Sequence, residues 1–297
     1  MSFARANGTP ASRIAADGRF SASSSSSKLV SGCATGRPYP AGAAVNRLNV
    51  AVSRPIRFAA AGDIHAHDEN RDDLARAFGE VDGTVDLVLL AGDLTTYGRP
   101  EQAALLAEIC RPLQVPVYAV LGNHDWHCNQ VPEIVALLSG AGVRVLDRSW
   151  AIEDVDGISV GIVGVKGFVG GFPDSQLPDF GEPLLRQVYA ETTDEVDALQ
   201  AGLEAVSGSD QRIVLLHYSP TASTLEGEPR GIWPFLGTDR LAEPIAEHKP
   251  DVVLHGHTHA GTFEGSVGSV PVFNVSVPVL GRDFFLFELE GSKVVAA

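Results

Sequence analysis

An α/β fold with a parallel sheet is predicted by three features of the sequence. Strand-like, polar-turn and helix-like stretches repeat in order from residue 56 onward. The strand-like runs are continuously apolar, as expected of strands buried on both faces. Several of them end in Asp, Asn or His, and the strand ends of open α/β sheets are where ligands bind.

The first strand is Ile56 to Ala61, ending in Gly62-Asp63-Ile64-His65, and a helix follows from Glu69 to Phe78 with Leu74, Ala77 and Phe78 on one face. The second strand, Asp86 to Ala91, ends in Gly92-Asp93; its helix starts at Pro100, where proline suits a first turn, and runs to about Ile109. The third strand, Val115 to Leu121, delivers Gly122-Asn123-His124-Asp125-Trp126-His127. Taken alone that stretch reads equally well as a turn, since Gly, Asn and Asp favour turns on conformational grounds. Val143 to Leu146, Ala151 to Val155 and Ile158 to Val165 are short β runs, the last two joined by the hairpin signal Asp156-Gly157. A long amphipathic helix covers about Leu184 to Val206, and Arg212 to Leu216 is a buried strand ending at His217. Helix 239–248 leads into Asp251 to Leu254, then His255-Gly256-His257-Thr258-His259, with closing strands at Val270 to Val279 and Phe284 to Leu289. Loops 166–183 and 218–238 are long enough to suggest lids, and their Phe168, Phe172, Trp233 and Phe235 are available to stack on a base or aryl group, or to pack in a core.

At 297 residues and 44% apolar, the chain can bury one large core or two small ones. No apolar run reaches the roughly 18–20 residues of a membrane span, so no membrane partner is expected. Three widely spaced cysteines, Cys33, Cys110 and Cys128, fit a reduced compartment better than a disulfide framework, which makes cytoplasmic the expected location. Residues 1–54 carry Ser21 to Ser27, six serines and one alanine, with scattered Arg, Gly and Pro; such a segment cannot offset its ordering entropy and is expected to be a disordered extension. It reads as a tail or mis-assigned start ahead of an organellar transit peptide, the alternative that would place the protein in an organelle. Residues 55–297 form the expected functional domain. Net charge is −15, yet residues 1–57 carry eight Lys or Arg against the single acid Asp17, so the domain is more acidic than the whole. That field argues against nucleic acid as a partner.

Asp63, His65, Asp93, Asn123, His217, His257 and His259 offer carboxylates, an amide oxygen and imidazoles, without a thiolate. This donor set suits Mn, Fe, Zn, Co or Ni. Seven groups exceed the needs of one ion and suit two, roughly 3.5–4 Å apart. Asp93, alone on its strand, is the natural bridge; a turn after Gly62 brings Asp63 and His65 inward together.

Asp63-x-His65, Gly92-Asp93, Gly122-Asn123-His124-Asp125, His217 and Gly256-His257-x-His259 resemble, in order, the motifs of the calcineurin-like metallophosphoesterases, over about residues 56–290. The resemblance implies a four-layer α/β/β/α sandwich of two mixed sheets, with a dinuclear metal site at the strand ends. It implies Asp63, His65 and His259 as ligands of one ion, Asn123, His217 and His257 of the other, and Asp93 between them. Hydrolysis of a phosphoester by a metal-bound hydroxide is implied, with His124 as catalytic residue near the leaving group. An imidazole suits that task because its pKa lies near neutrality.

The run Gly92-Asp93-Leu94-Thr95-Thr96-Tyr97-Gly98 lacks the second acid and the arginine of the protein Ser/Thr phosphatases, and so lacks the carboxylate that orients their histidine. Purple acid phosphatases place tyrosine three residues after the bridging Asp and glycine where His65 stands; here Tyr97 is four after. What remains is similar to small bacterial-type phosphoesterases and class III cyclic-nucleotide phosphodiesterases. A phosphodiesterase on small molecules leads; a phosphomonoesterase, a nuclease or a non-catalytic scaffold are the alternatives, and oligomeric state is open, a homodimer included. His67, His127 and Tyr218 flank the motifs as candidate substrate contacts, and Lys166 and Arg282 as candidate phosphate contacts. His255 is expected to pack, and Cys128 carries no sign of activation.

Overall fold

The computed structural model describes residues 54–291 and 293–296. The disordered extension expected over residues 1–54, with Cys33, lies outside them apart from Arg54, which pairs with Asp86 and Asp156.

Two six-stranded mixed sheets form the centre. In the first, β1 (Ile56–Ala61), β2 (Leu87–Ala91), β3 (Val117–Val120) and β4 (Val143–Val145) run parallel, with β11 (Phe285–Glu290) and β12 (Lys293–Ala296) added antiparallel beside β1. In the second, β6 (Ile158–Gly164), β7 (Gln211–Leu215), β8 (Val252–His255) and β10 (Val270–Asn274) run parallel between antiparallel edges β5 (Ser149–Val155) and β9 (Glu264–Val267).

Three apolar layers follow from the continuous apolar runs, because alternate side chains of each strand enter a different layer. Phe58, Leu89 and Tyr118 meet Ile162, Leu215 and Leu254 between the sheets. Ala59, Val88 and Leu90 turn outward beneath helices α1 (Arg71–Val81), α2 (Pro100–Cys110) and α3 (Val131–Ser139), through Phe78, Leu106, Ile134 and Leu138. Val163, Val214 and Val253 face α4 (Pro183–Ala205) and α6 (Ala242–His248), through Leu199, Leu203 and Ile245. The result is the expected α/β/β/α sandwich.

Four features differ from the sequence reading. The strands that carry the candidate donors divide between two sheets, β1 to β3 in one and β7 and β8 in the other, as the resemblance implied and where the strand pattern alone predicts one parallel sheet. Residues 131–139, given no bounds from sequence, form α3, opened by Pro132. The strand expected to reach Val279 stops at Asn274; Val277–Leu280 is the short helix α7, begun by Pro278 and ended by Gly281 at φ 62°. Loop 218–238 is not structureless: it contains 3₁₀ turns and the short helix α5 (Trp233–Leu236). At the Asp156-Gly157 hairpin both residues take positive φ, 53° and 85°, as a type I′ turn requires.

Candidate metal centre

Five chain segments reach the site as they leave the C-terminal ends of β1, β2, β3, β7 and β8. After Gly62 the backbone abandons extended geometry, with Asp63 at φ 58° and His65 at 44°; Asp93 (50°) and His257 (70°) are left-handed as well. Such values are costly for side chains with a Cβ and persist where surroundings over-determine them. Here neighbouring loops do so: Asp63 N–H donates to Gly92 O (3.0 Å), His65 N–H to Asp93 O (3.0 Å) and Gly62 N–H to Val275 O (2.7 Å). Glycines leave room where loops cross. A Cβ at Gly92 would lie 2.5 Å from His217 Nδ1, and one at Gly256 2.4 Å from Asp63 Oδ2.

The donor atoms of Asp63, His65 and His259 lie within 4.8 Å of one another, as do those of Asp93, His217 and His257. Asp93 connects the two groups, since His65, Asp93 and His124 form a third set at the same spacing. Its Oδ1 is 3.4 Å from His217 Nε2 and its Oδ2 3.9 Å from His65 Nε2. Asn123 Oδ1 faces His217 Nε2 at 2.9 Å, and His259 Nε2 faces Asp63 Oδ1 at 2.9 Å. All seven sequence-selected donors are therefore in one place, contributed by both sheets.

Carbonyls fix several imidazoles from behind. His217 Nδ1 bonds Ala91 O (2.9 Å) and His257 Nε2 bonds Phe235 O (3.1 Å), each leaving its other nitrogen toward the cluster. This is how ligand imidazoles are usually oriented. Burial, reinforced by the neighbouring His217, lowers His257 to about 3, which keeps it in the neutral form that binds metal. Burial also lowers His65. For Asp63 burial disfavours the charge, but a hydrogen bond from His259, the charge of His217 and the His257 N–H outweigh it and hold the carboxyl well below the usual range. The same bond to Asp63 raises His259.

The residues fit divalent cations on the structure's own terms. Asp63 and Asp93 are buried carboxylates, which are expensive unless paired or metal-bound. No hydrogen bond among the described residues reaches the buried Nδ1 of His65. Hard oxygen and borderline nitrogen donors, without sulfur, complete the match.

His124 Nδ1 is 2.8 Å from Thr96 O, and its Nε2 is 3.8 Å from Asp93 Oδ2. The exposed His127 ring sits 4.5 Å from that of His124. His67 Nδ1 bonds the His65 carbonyl at 2.7 Å. Tyr218 is buried with its ring 4.4 Å from His257, and its pKa is pushed up by burial and by the Asp93 carboxylate. These three candidates all border the cluster.

Others do not. Lys166 is buried, donates to Gly167 O and lies 3.9 Å from the buried Glu195, so it is no phosphate contact. Arg282 lines a crevice beside Ala77, Glu80 and Val81 and covers the Phe285 ring. Phe172 and Trp233 pack with Leu225 and Leu236, which removes them as stacking surfaces; Phe235 stays exposed, and Phe168 lies under Lys166. His255 is packed, bonded to Thr224 Oγ1 (2.9 Å) and lowered to about 4 by burial. Cys128 is exposed and Cys110 buried. Sequence reasoning gave no role to Asp125, a fully buried carboxylate that accepts four hydrogen bonds; its position inside the Asn-His-Asp run was the available signal.

The model of the calcineurin-like phosphoesterase family matches residues 56–261. The chain belongs to that family. A curated relative, purple acid phosphatase 4 of Arabidopsis thaliana, is 26% identical over 151 residues, half of this phosphoesterase chain and 42% of the relative. The chain thus spans less than half the length of the relative it matches. Tyr97 of this phosphoesterase is exposed with Arg99 over its ring, and Thr96 occupies the third place after Asp93. Among solved structures, phosphopantetheinyl hydrolase from Mycobacterium tuberculosis aligns with TM-score 0.57 at 16% identity, covering 75% of this chain and 90% of that one. A protein from Thermus thermophilus gives 0.55 at 16%, covering 82% and 98%. GAP50, the anchor in the inner membrane complex of Plasmodium, gives 0.52 at 13%, covering 82% and 84%. At these identities the likeness is one of fold. The family match and the cluster of Asp63, His65, Asp93, His217, His257 and His259 fall within the same residues of the chain.

Proposed function

We propose that the protein hydrolyses small-molecule phosphodiesters at two divalent cations. Asp63, His65 and His259 hold one cation, Asn123, His217 and His257 the other, and Asp93 touches both. Bound cations would neutralise charge on the phosphoryl oxygens and make hydroxide available near neutral pH. The chain's own contribution to bond cleavage is His124. With Nδ1 committed to the Thr96 carbonyl at 2.8 Å, the ring presents Nε2 to the cluster, where it donates a proton or hydrogen bond to the departing oxygen. His67, His127 and Tyr218 line the approach and contact the ester substituents.

The observation that favours a diester is the placement of Lys166. The basic side chain next to the β6 strand end is turned into a buried pair with Glu195, leaving the extra negative charge of a monoester without that partner. A monoanionic diester suits such a site better, and the acidic domain surface repels polyanions further. Those arguments rank a phosphomonoesterase second and a nuclease third.

The test is a Mn²⁺-supplemented comparison of aryl diesters, cyclic nucleotides, aryl monoesters and single-stranded DNA. Higher kcat/KM on diesters supports the proposal, and higher kcat/KM on monoesters or DNA replaces it. Absence of both bound metal and hydrolysis would make the chain a scaffold that keeps the fold.

A further inference from the structure

We propose that Thr95, acting with Asp125, is the positioning residue for His124, replacing the orienting carboxylate that the loop lacks at position 96. The inference rests on His124 as the group near the departing oxygen. Thr96 has the right place in the sequence but does not use its side chain for this purpose: its hydroxyl donates to His65 O at 2.7 Å, and only its main-chain carbonyl meets His124 Nδ1, at 2.8 Å. A carbonyl orients an imidazole only as well as its own backbone is held.

Thr95 holds that backbone. Its hydroxyl donates to Asp125 Oδ1 at 2.6 Å and accepts the Gly98 N–H at 3.1 Å, spanning the carbonyl of Thr96 from both sides in sequence. Asp125 also accepts from Thr95 N–H (2.8 Å), Leu94 N–H (3.2 Å) and Gly122 N–H (2.9 Å). One buried carboxylate, adjacent to His124 in the chain, thereby fastens the 94–98 loop to the turn that carries His124. Gly98 closes the contact, since a Cβ there would lie 2.8 Å from the carbonyls of both His124 and Asp125. Among the side-chain hydrogen bonds, those of Thr95 join only Asp125 and Gly98; no metal-ligand candidate takes part.

A carbonyl can only accept, so it keeps a proton on Nδ1; the proton given to the departing oxygen is a second one, on Nε2 of the imidazolium, and its transfer leaves the neutral Nδ1–H ring. Loss of the Thr95 hydroxyl frees the loop, and the cost falls on leaving-group assistance alone. The experiment uses the full chain loaded with Mn²⁺, comparing Thr95→Val and Thr95→Ser with the unmodified protein on aryl diesters with good and poor leaving groups. For Thr95→Val we expect unchanged metal content and KM, kcat on the poorest leaving group down by about tenfold or more, and little change on p-nitrophenyl esters. Thr95→Ser should restore the poor-leaving-group rate. A loss equal across leaving groups, no loss, or a Ser variant as impaired as Val would overturn the proposal. Should Thr95→Val not fold, ¹⁵N NMR of the Zn²⁺-loaded unmodified chain decides: a proton on His124 Nδ1 supports the inference, and an Nδ1 that carries no proton overturns it. If the unmodified chain cleaves no diester, the proposed activity falls, and the tautomer measurement alone judges the positioning.

Discussion

Gly122→Ala tests whether the loops of the site are packed against one another as tightly as the structure shows. A Cβ added at Gly122 would stand 2.1 Å from Asp93 Oδ1, 2.3 Å from Asp93 N and 2.8 Å from Asp93 Cγ. Gly122 does not have the positive φ that would itself forbid alanine, so the effect is one of space alone. Carbon and oxygen approach no closer than about 3.2–3.5 Å without strain, so the Asp93 carboxylate must retreat by about 1 Å. Its backbone is implicated as well, which prevents a simple rotamer change from absorbing the clash.

Two consequences follow, of different size. Overpacking of this kind costs about 1–3 kcal/mol of stability, roughly 2–12 °C in Tm for a domain of this length. The functional loss is larger, because Asp93 lies between both donor sets and because displacement of about 1 Å in a reacting group costs on the order of 10²-fold in rate. Gly79→Ala is the control: that glycine is exposed in α1 with nothing within 4 Å of the added Cβ, and it should gain up to about 1 kcal/mol. Metal content by mass spectrometry, thermal unfolding and diester turnover measure the three quantities. A Gly122→Ala protein that keeps two metal ions per chain and turnover within about twofold would refute the packing argument.

Further outcomes are expected elsewhere. Asp93→Ala should abolish metal retention and nearly all turnover, since both donor sets lose a member; normal turnover would remove Asp93 from the bridging position. His124→Ala should retain metal while kcat falls by about 10²–10⁴-fold, and a fall in metal content instead would make His124 a ligand. At Asp86, burial opposes ionisation, but hydrogen bonds from Arg54 and from the Arg57 N–H outweigh it and lower the pKa. A carboxyl with depressed folded-state pKa contributes stability above its unfolded value of about 3.9 and loses it as pH falls through the folded value. Asp86→Asn should therefore be less stable than the unmodified chain at pH 7 by about 1 kcal/mol, after discount for the exposed Arg54, and the two urea curves should converge in strong acid.

Much of this was legible because strands buried on both faces announce themselves as apolar runs. β1, β2, β3, β7 and β8 and their terminal Asp, Asn and His could be read in order. Their division between two sheets could not be read from that pattern: Ile213 and Val253 look no different from Leu89 or Val120 in sequence, and only β5 pairing beside β6 begins the second sheet. Val277-Pro-Val-Leu reads as strand by composition, while Pro278 and the left-handed Gly281 make it a helical turn. Lys166 read as a candidate phosphate contact because its partner, Glu195, arrives 29 residues later on α4. The same limit applies to Phe172 and Trp233, whose shared core is assembled by two separate loops. Seven candidate donors and His124 were selected from residue type and strand-end position, whereas the carbonyls that bond three of these imidazoles, those of Ala91 (to His217), Phe235 (to His257) and Thr96 (to His124), carry no side-chain signal at all.

Backbone geometry explains why the site is shared so evenly between the sheets. Four of the seven donors, Asp63, His65, Asp93 and His257, are left-handed. At about 1–2 kcal/mol each, that strain is a sizeable fraction of the roughly 5–15 kcal/mol by which domains are stable. It has to be offset by bonds formed only in this arrangement, and those bonds run between loops: His124 N–H to Asp93 Oδ1 at 2.8 Å within one sheet, His257 N–H to Asp63 Oδ2 at 2.9 Å across the two. Each carboxylate proposed as a ligand is thus also the acceptor that holds a neighbouring loop. A cation drawing on Asp63 or Asp93 acts on oxygens whose positions are already set by the other sheet's or strand's backbone, so the donors need little rearrangement when it binds. The converse also holds. A change in one loop reaches both sets of candidate donors, and this is why a single methyl group at Gly122 is a sharper probe of the centre than removal of any peripheral side chain.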